Sequence, residues 1–137
     1  MVRDIVHDPI FLAQKSVDAT KDDIEVAKDL LDTLRAHTHE CVGMAANMIG
    51  IKKNIIVIGA GLGQFVMINP KILFKDGPFE TEEGCLSLLG GPRKCTRYEN
   101  IEVSYLDINW NPKRQKYSGW TAQIIQHEID HTNGVLI

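Results

Sequence analysis

Two histidines near the C-terminal end of the sequence have the spacing of paired metal ligands. His127 and His131 stand four residues apart within the segment Gln126–His131. On an α-helix, positions i and i+4 share a face, so both imidazoles can reach one metal ion. Glu128 follows the first histidine and can serve as the general base that takes a proton from an attacking water. The pattern predicts metal-assisted hydrolysis, but an amphipathic helix that carries two histidines by chance has the same spacing.

A third protein ligand has to come from upstream of this helix. Catalytic sites of this type usually have three protein ligands plus water, and the remaining segment 132–137 contains no strong donor. The candidates are the other histidines, the acidic residues and three cysteines, Cys41, Cys85 and Cys95. An odd number of widely spaced cysteines does not predict a disulfide framework, so reduced thiols are expected, and one of them is a candidate soft ligand.

Composition and charge narrow the class of protein. The chain has 137 residues, a net charge of −3, 44% hydrophobic and 24% charged residues. These values predict one folded domain over residues 1–137, with no general attraction to nucleic acid or to an anionic membrane. No apolar run approaches the length of a membrane span, and acidic residues stand where a secretion signal would be basic and then apolar. A cytoplasmic protein is the expectation.

The hydrophobic periodicity predicts an α+β fold. Apolar residues recur at helical spacing over residues 21–36, with Thr20 as the N-cap. β-branched and alternating runs predict strands at 54–58, 65–69, 101–106 and 115–118, and Asp76-Gly77-Pro78 predicts a turn. We therefore expect small mixed or antiparallel sheets packed around the C-terminal helix that carries the two histidines, with one N-terminal amphipathic helix.

Three segments together resemble the motifs of the peptide deformylase family, in the same order along the chain. They are the small-residue segment 41–48, the Glu-Gly-Cys-Leu-Ser segment 83–87 and the Gln-His-Glu-Ile-Asp-His segment 126–131. The second and third match the family pattern in full. The resemblance implies removal of the formyl group from the N-formylmethionine end of new polypeptides, including nascent chains at the ribosome, with formate and a free amine as products.

The resemblance also implies roles for individual residues. Cys85, His127 and His131 would bind one divalent ion, typically Fe²⁺, which Zn²⁺ or Ni²⁺ can replace. Glu128 would act as general base and acid, and the backbone N–H of Leu86 would hold the oxyanion. Substrate contacts would come from Arg97 and from the backbone of Val42 and Gly43, with the peptide added to a strand edge.

Two positions depart from the family's first motif. Met48 stands where the family has a glutamine whose amide donates to the oxyanion, and Cys41 stands in place of a glycine. A thioether cannot donate a hydrogen bond, and loss of one oxyanion donor typically costs on the order of 10²–10³ in rate. We expect a deformylase of reduced activity. Two alternatives remain: a deformylase-like protein that binds metal or peptide with little turnover, and a hydrolase in which Cys85 is the nucleophile and a histidine its base.

Overall fold

The chain folds into helices and an antiparallel sheet. The computed structural model describes residues 1–39, 41–59, 63–85 and 91–137. The helices in this part are α1 (Pro9–Leu12), α2 (Ile24–Ala36) and α3 (Gly119–Thr132); the strands are β1 (Gly43–Ala45), β2 (Ile55–Gly59), β3 (Gln64–Glu83), β4 (Arg93–Leu106) and β5 (Pro112–Ser118). The strands pair antiparallel in the order β1-β2-β3-β4-β5. The predicted α+β class is confirmed.

The predicted N-terminal amphipathic helix is α2. Thr20 accepts a hydrogen bond from the backbone of Asp22, and the Asp23 carboxylate accepts one from the backbone N–H of Thr20. This reciprocal cap starts a short 3₁₀ turn that leads into α2. Ala27, Leu30 and Leu34 are fully buried on one face of the helix. The apolar stripe is therefore core, as its helical spacing predicts.

Strand β2 separates two halves of the core. Alternate side chains of a strand point to opposite faces of a sheet. Ile55 and Val57 pack in the cluster that contains the buried face of α2. Ile56 and Ile58 pack in the cluster that contains the apolar residues of α3. Because both faces are covered, β2 reads as an unbroken apolar run, and α3 is held firmly against the sheet.

The turn predicted at Asp76-Gly77-Pro78 is wrong, because β3 continues through it to Glu83. Asp76 pairs with Asn100 and Pro78 with Tyr98 on β4, with Gly77 between them at a φ of 69°. A glycine with positive φ can bend a strand locally without reversing the chain. The long β3–β4 pair returns the chain to α3, so that Glu83 and Cys85 lie beside the helix. Among the described residues, no helix is long and apolar enough to cross a membrane.

Candidate metal site and the adjoining cavity

Cys85 and the two histidines of α3 come together in space. One potential ligand atom from each of Cys85, His127 and His131 lies within 4.8 Å of the others. The imidazole centroids are 4.7 Å apart, as the i, i+4 spacing predicts, and Sγ of Cys85 lies 3.9 Å from Nδ1 of His131. A thiolate with two imidazoles is a donor set that Zn²⁺ and Fe²⁺ accept. The residues present therefore fit a divalent metal ion.

Hydrogen bonds select the ring nitrogen that each histidine can offer to a metal. Nδ1 of His127 lies 2.7 Å from Oε1 of Glu83, and an ionised carboxylate can only accept, so Nδ1 carries the proton. Nε2 of His131 lies 3.1 Å from the backbone oxygen of Ile137 and donates to it. Nε2 of His127, once it has lost its proton, and Nδ1 of His131 are left as lone-pair donors. Orientation of metal-binding histidines by outer partners is common in metalloproteins.

Glu83 is the centre of a buried polar network. Its carboxylate accepts hydrogen bonds from Nε of Arg97 at 3.0 and 3.1 Å, from Nη2 of Arg97 at 2.7 Å and from Nε2 of Gln123 at 2.8 Å. Nη1 of Arg97 donates to Asp130 at 2.7 Å. Burial alone would raise the pKa of Glu83, but the hydrogen bonds from His127, Arg97 and Gln123 lower it to about 2. Glu83 therefore stays ionised beside His127.

The two histidines differ in their affinity for protons. Burial opposes the charged form of His127, but hydrogen bonds with Cys85 and Glu83 outweigh burial and raise its pKa to about 10. Burial and the neighbouring charge of His127 lower the pKa of His131 to about 4. A divalent cation at Cys85 and His127 would compete with the proton on His127.

Glu128 is buried beside this cluster. Its exposed fraction is 4%, and its Oε1 atom has no hydrogen-bond partner within the described part of the chain. Burial raises its pKa to about 7, against the charge of His127, which lowers it. A Cβ atom added to Gly43 would lie 3.0 Å from Oε2 of Glu128 and 2.8 Å from Ile124. The absence of a side chain at residue 43 leaves room for this carboxylate.

A cavity of about 480 Å³ opens beside the cluster. Strand β1 forms one wall and lies at the end of the sheet order, so one of its edges faces away from β2. The exposed ring of Trp120 also lines this cavity. The residues of the lining that enter the chemistry considered below are Val42, Gly43, Glu83, Cys85, Gln123, His127 and Glu128.

Three further residues were predicted to belong to the site: Met48, Arg97 and Leu86. Met48 is buried in the core, and its sulfur lies 3.5 Å from the backbone nitrogen of Ala45, from which it accepts a hydrogen bond. Arg97 is 4% exposed, and its guanidinium faces Glu83 and Asp130. Neither residue is among the described residues that line the cavity. Leu86 lies outside the described residues. Substrate contacts by Met48, Arg97 and Leu86 stay predictions.

Sequence reasoning gave no role to four residues that support the site. Glu83, Gln123 and Asp130 belong to the network around His127, and Nδ2 of Asn47 donates to the backbone oxygen of His131 at 2.9 Å. Asn47, Glu83 and Asp130 lie inside the segments that carry the family resemblance, which was an available signal. Nothing in the sequence around Gln123 indicated its contact.

The sequence and the fold are similar to those of known peptide deformylases. The family model described as polypeptide deformylase matches residues 2–137. The peptide deformylase of Clostridium beijerinckii is 58% identical over 137 residues, which cover 100% of both chains. A peptide deformylase structure from Legionella pneumophila matches with a TM-score of 0.87 and 34% identity, covering 99% of this chain and 83% of that one. A Met-Ala-Ser-bound peptide deformylase structure from Acinetobacter baumannii matches with a TM-score of 0.88 and 25% identity, covering 99% and 96%.

The match to the family model spans nearly the whole chain, and the relative from Clostridium beijerinckii is aligned along its full length. The chain therefore belongs to the peptide deformylase family, whose members are metal-dependent amidohydrolases that remove the formyl group from N-formylmethionine.

Proposed function

We propose that this chain hydrolyses the formyl group of N-formylmethionyl peptides with one divalent ion held by Cys85, His127 and His131. The observation that carries the proposal is the convergence of these donors beside the carboxylate of Glu128, whose Oε1 has no hydrogen-bond partner among the described residues. We further propose Fe²⁺ as the native ion, with Zn²⁺ or Ni²⁺ as substitutes. The proposed substrates are nascent chains at the ribosome, in the cytoplasm.

When bound, the ion supplies Lewis acidity, which polarises the formyl carbonyl and lowers the pKa of water. Glu128 accepts the proton of the attacking water and delivers it to the departing amine nitrogen, so that the C–N bond breaks and formate and an amine leave. Burial supports this exchange because it brings the pKa of Glu128 to about 7, near the working pH of most enzymes.

Strand β1 is the proposed peptide-binding edge. Val42 and Gly43 line the cavity, and β1 has β2 on one side only in the sheet order. An extended peptide can add to such an edge through main-chain hydrogen bonds. The Met-Ala-Ser-bound relative from Acinetobacter baumannii supports a peptide of this type as ligand. Leu86 is the proposed oxyanion donor through its backbone N–H, and Arg97 is the proposed further substrate contact.

Met48 favours a second candidate, a deformylase-like protein that binds metal or peptide with little turnover. Its thioether accepts the N–H of Ala45 and has no proton to give to an oxyanion. We expect slow formate release by the wild-type chain and a rise of up to about 10² in rate in Met48→Gln. The measurement is kcat at equal, complete metal occupancy, because partial occupancy would hide the gain. An unchanged kcat in the variant would contradict our account of Met48.

Formate release from formyl-Met-Ala-Ser tests the proposed function. The protein is loaded with Fe²⁺ and assayed under anaerobic conditions, because a ferrous thiolate site is open to oxidation. We expect formate from the metal-loaded chain and none after chelation, with recovery when Fe²⁺ is restored. Full metal occupancy without detectable formate, in both the wild type and Met48→Gln, would favour the binding protein.

A further inference from the structure

We propose that Gln123 is a positioning residue for His127, acting through the carboxylate of Glu83. The inference rests on the proposed function, because it assumes that His127 is a metal ligand. Its basis is a chain of two hydrogen bonds: Nε2 of Gln123 donates to Oε2 of Glu83 at 2.8 Å, and Oε1 of Glu83 lies 2.7 Å from Nδ1 of His127. Gln123 therefore donates a hydrogen bond to the carboxylate oxygen of Glu83 that does not contact His127.

Helix geometry explains why Gln123 can do this. Gln123 and His127 stand four residues apart on α3, so their side chains leave the same face of the helix. Both reach Glu83, the last residue of β3. The three side chains form one link between the helix and the strand that leads to Cys85.

Glu83 also accepts hydrogen bonds from Arg97, but Arg97 and Gln123 lie on different elements. Arg97 reaches Glu83 from β4 with two of its nitrogens. Gln123 reaches it from α3 and also lines the cavity, as does Glu83. Without the amide, Oε2 of Glu83 would keep only the 3.1 Å hydrogen bond from Nε of Arg97, and the carboxylate would be freer to turn away from His127. The carboxylate that orients a metal-binding histidine usually affects metal affinity by 10–100-fold.

Zinc affinity, measured by competition with a chelator, tests the proposal. Gln123→Met keeps the length of the side chain and its helix preference but has no donor. We expect the variant to bind Zn²⁺ about three- to tenfold more weakly than wild type, less than loss of the carboxylate itself, and to show an altered visible spectrum when loaded with Co²⁺. Equal zinc affinity in the two proteins would overturn the proposal.

Gln126→Met is the matched control on the same helix. The Gln126 amide bonds to the backbone of Tyr98 and Ala122 and to neither Glu83 nor the histidines in the described contacts. It should lower the urea midpoint of unfolding more than Gln123→Met does and leave zinc affinity within about twofold. If Gln126→Met weakens zinc binding as much as Gln123→Met, general destabilisation explains both and the proposal fails.

A double-mutant cycle separates action through Glu83 from a direct effect on the site. In a Glu83→Gln background, Gln123→Met should cause no further loss of zinc affinity, whereas independent effects would add. An additive loss would overturn the proposal. Gln123→Ala, measured in parallel, replaces Gln123→Met if that variant does not fold. Failure of the wild-type protein itself to bind zinc would contradict the proposed function, and it would be seen before any variant is compared.

Discussion

Glu83 and Glu128 are two buried carboxylates near the same histidine, and their surroundings give them opposite properties. Glu83 receives hydrogen bonds from His127, Arg97 and Gln123, and its pKa falls to about 2 although burial opposes the fall. Burial raises the pKa of Glu128 to about 7, and its Oε1 has no partner among the described residues. The supply of donors to Glu83, together with the deeper burial of Glu128, separates a fixed anion that orients His127 from a carboxylate that can exchange a proton.

Replacing Glu128 should have the largest effect on turnover. Glu128→Gln keeps the size of the side chain but removes the group that takes the proton. We expect kcat for formyl-Met-Ala-Ser to fall by about 10²–10⁴, with the metal content unchanged. Formate release and metal analysis on the same sample make the comparison. A variant with unimpaired kcat would contradict the metal-hydrolase account and favour Cys85 as nucleophile.

Crowding Glu128 without removing it should have the next largest effect. In Gly43→Ala the new Cβ would meet Ile124 at 2.8 Å and Oε2 of Glu128 at 3.0 Å, so the Ile124 side chain has to shift and the carboxylate has to give way beside it. A displacement of about 1 Å can cost about 10² in rate. We expect kcat to fall by that order while zinc affinity stays near wild type. Loss of zinc binding in place of kcat would show that Gly43 supports the histidines instead.

Replacing Glu83 should lower the affinity of the site for metal. Glu83→Gln keeps the shape but weakens the acceptor for Nδ1 of His127 and breaks the ion pair with Arg97. We expect zinc affinity to fall by about 10–100-fold, measured by chelator competition. Glu80→Gln, an exposed residue of the same strand, is the control and should bind zinc as wild type does. The idea of a fixed, orienting anion fails if both variants bind zinc equally.

The smallest effect is expected for Asp130, which lies one hydrogen bond further from the proposed metal site than Arg97 does. Within the described part of the chain, Asp130 contacts the network only through Arg97, at 2.7 Å, and its side chain is 32% exposed. Asp130→Asn should therefore weaken zinc binding by less than about tenfold, since Arg97 keeps its bonds to Glu83. The same chelator titration measures it. A loss larger than that in Glu83→Gln would reverse the order of the network.

Local patterns predicted the parts of the site that lie on one element. The i, i+4 spacing was sufficient to place His127 and His131 side by side, and the apolar periodicity was sufficient to identify α2. The third proposed donor, Cys85, came from the motif resemblance, because nothing local relates residue 85 to α3. Residues 83, 97 and 123 meet only after a long strand pair and a helix pack together, so their network could not be read from spacing.

The turn predicted at residues 76–78 was wrong for a physical reason. Gly77 and Pro78 look like a turn in isolation, yet pairing with β4 carries β3 through them, with Gly77 at a positive φ. The bonds of Arg97 to two carboxylates were likewise not evident from the sequence, and its predicted contact with substrate stays a prediction. A charged residue reveals its partners only when the tertiary fold is known.

The most direct test of the account is the stoichiometry and ligand set of the bound metal. Anaerobically prepared protein is loaded with Co²⁺, and metal content and the visible thiolate-to-metal band are measured for wild type, Cys85→Ser and His131→Ala. The account predicts one ion per chain in the wild type, loss of the thiolate band in Cys85→Ser and strongly weakened binding in His131→Ala. One ion per chain with an unchanged spectrum and affinity in both variants would contradict it.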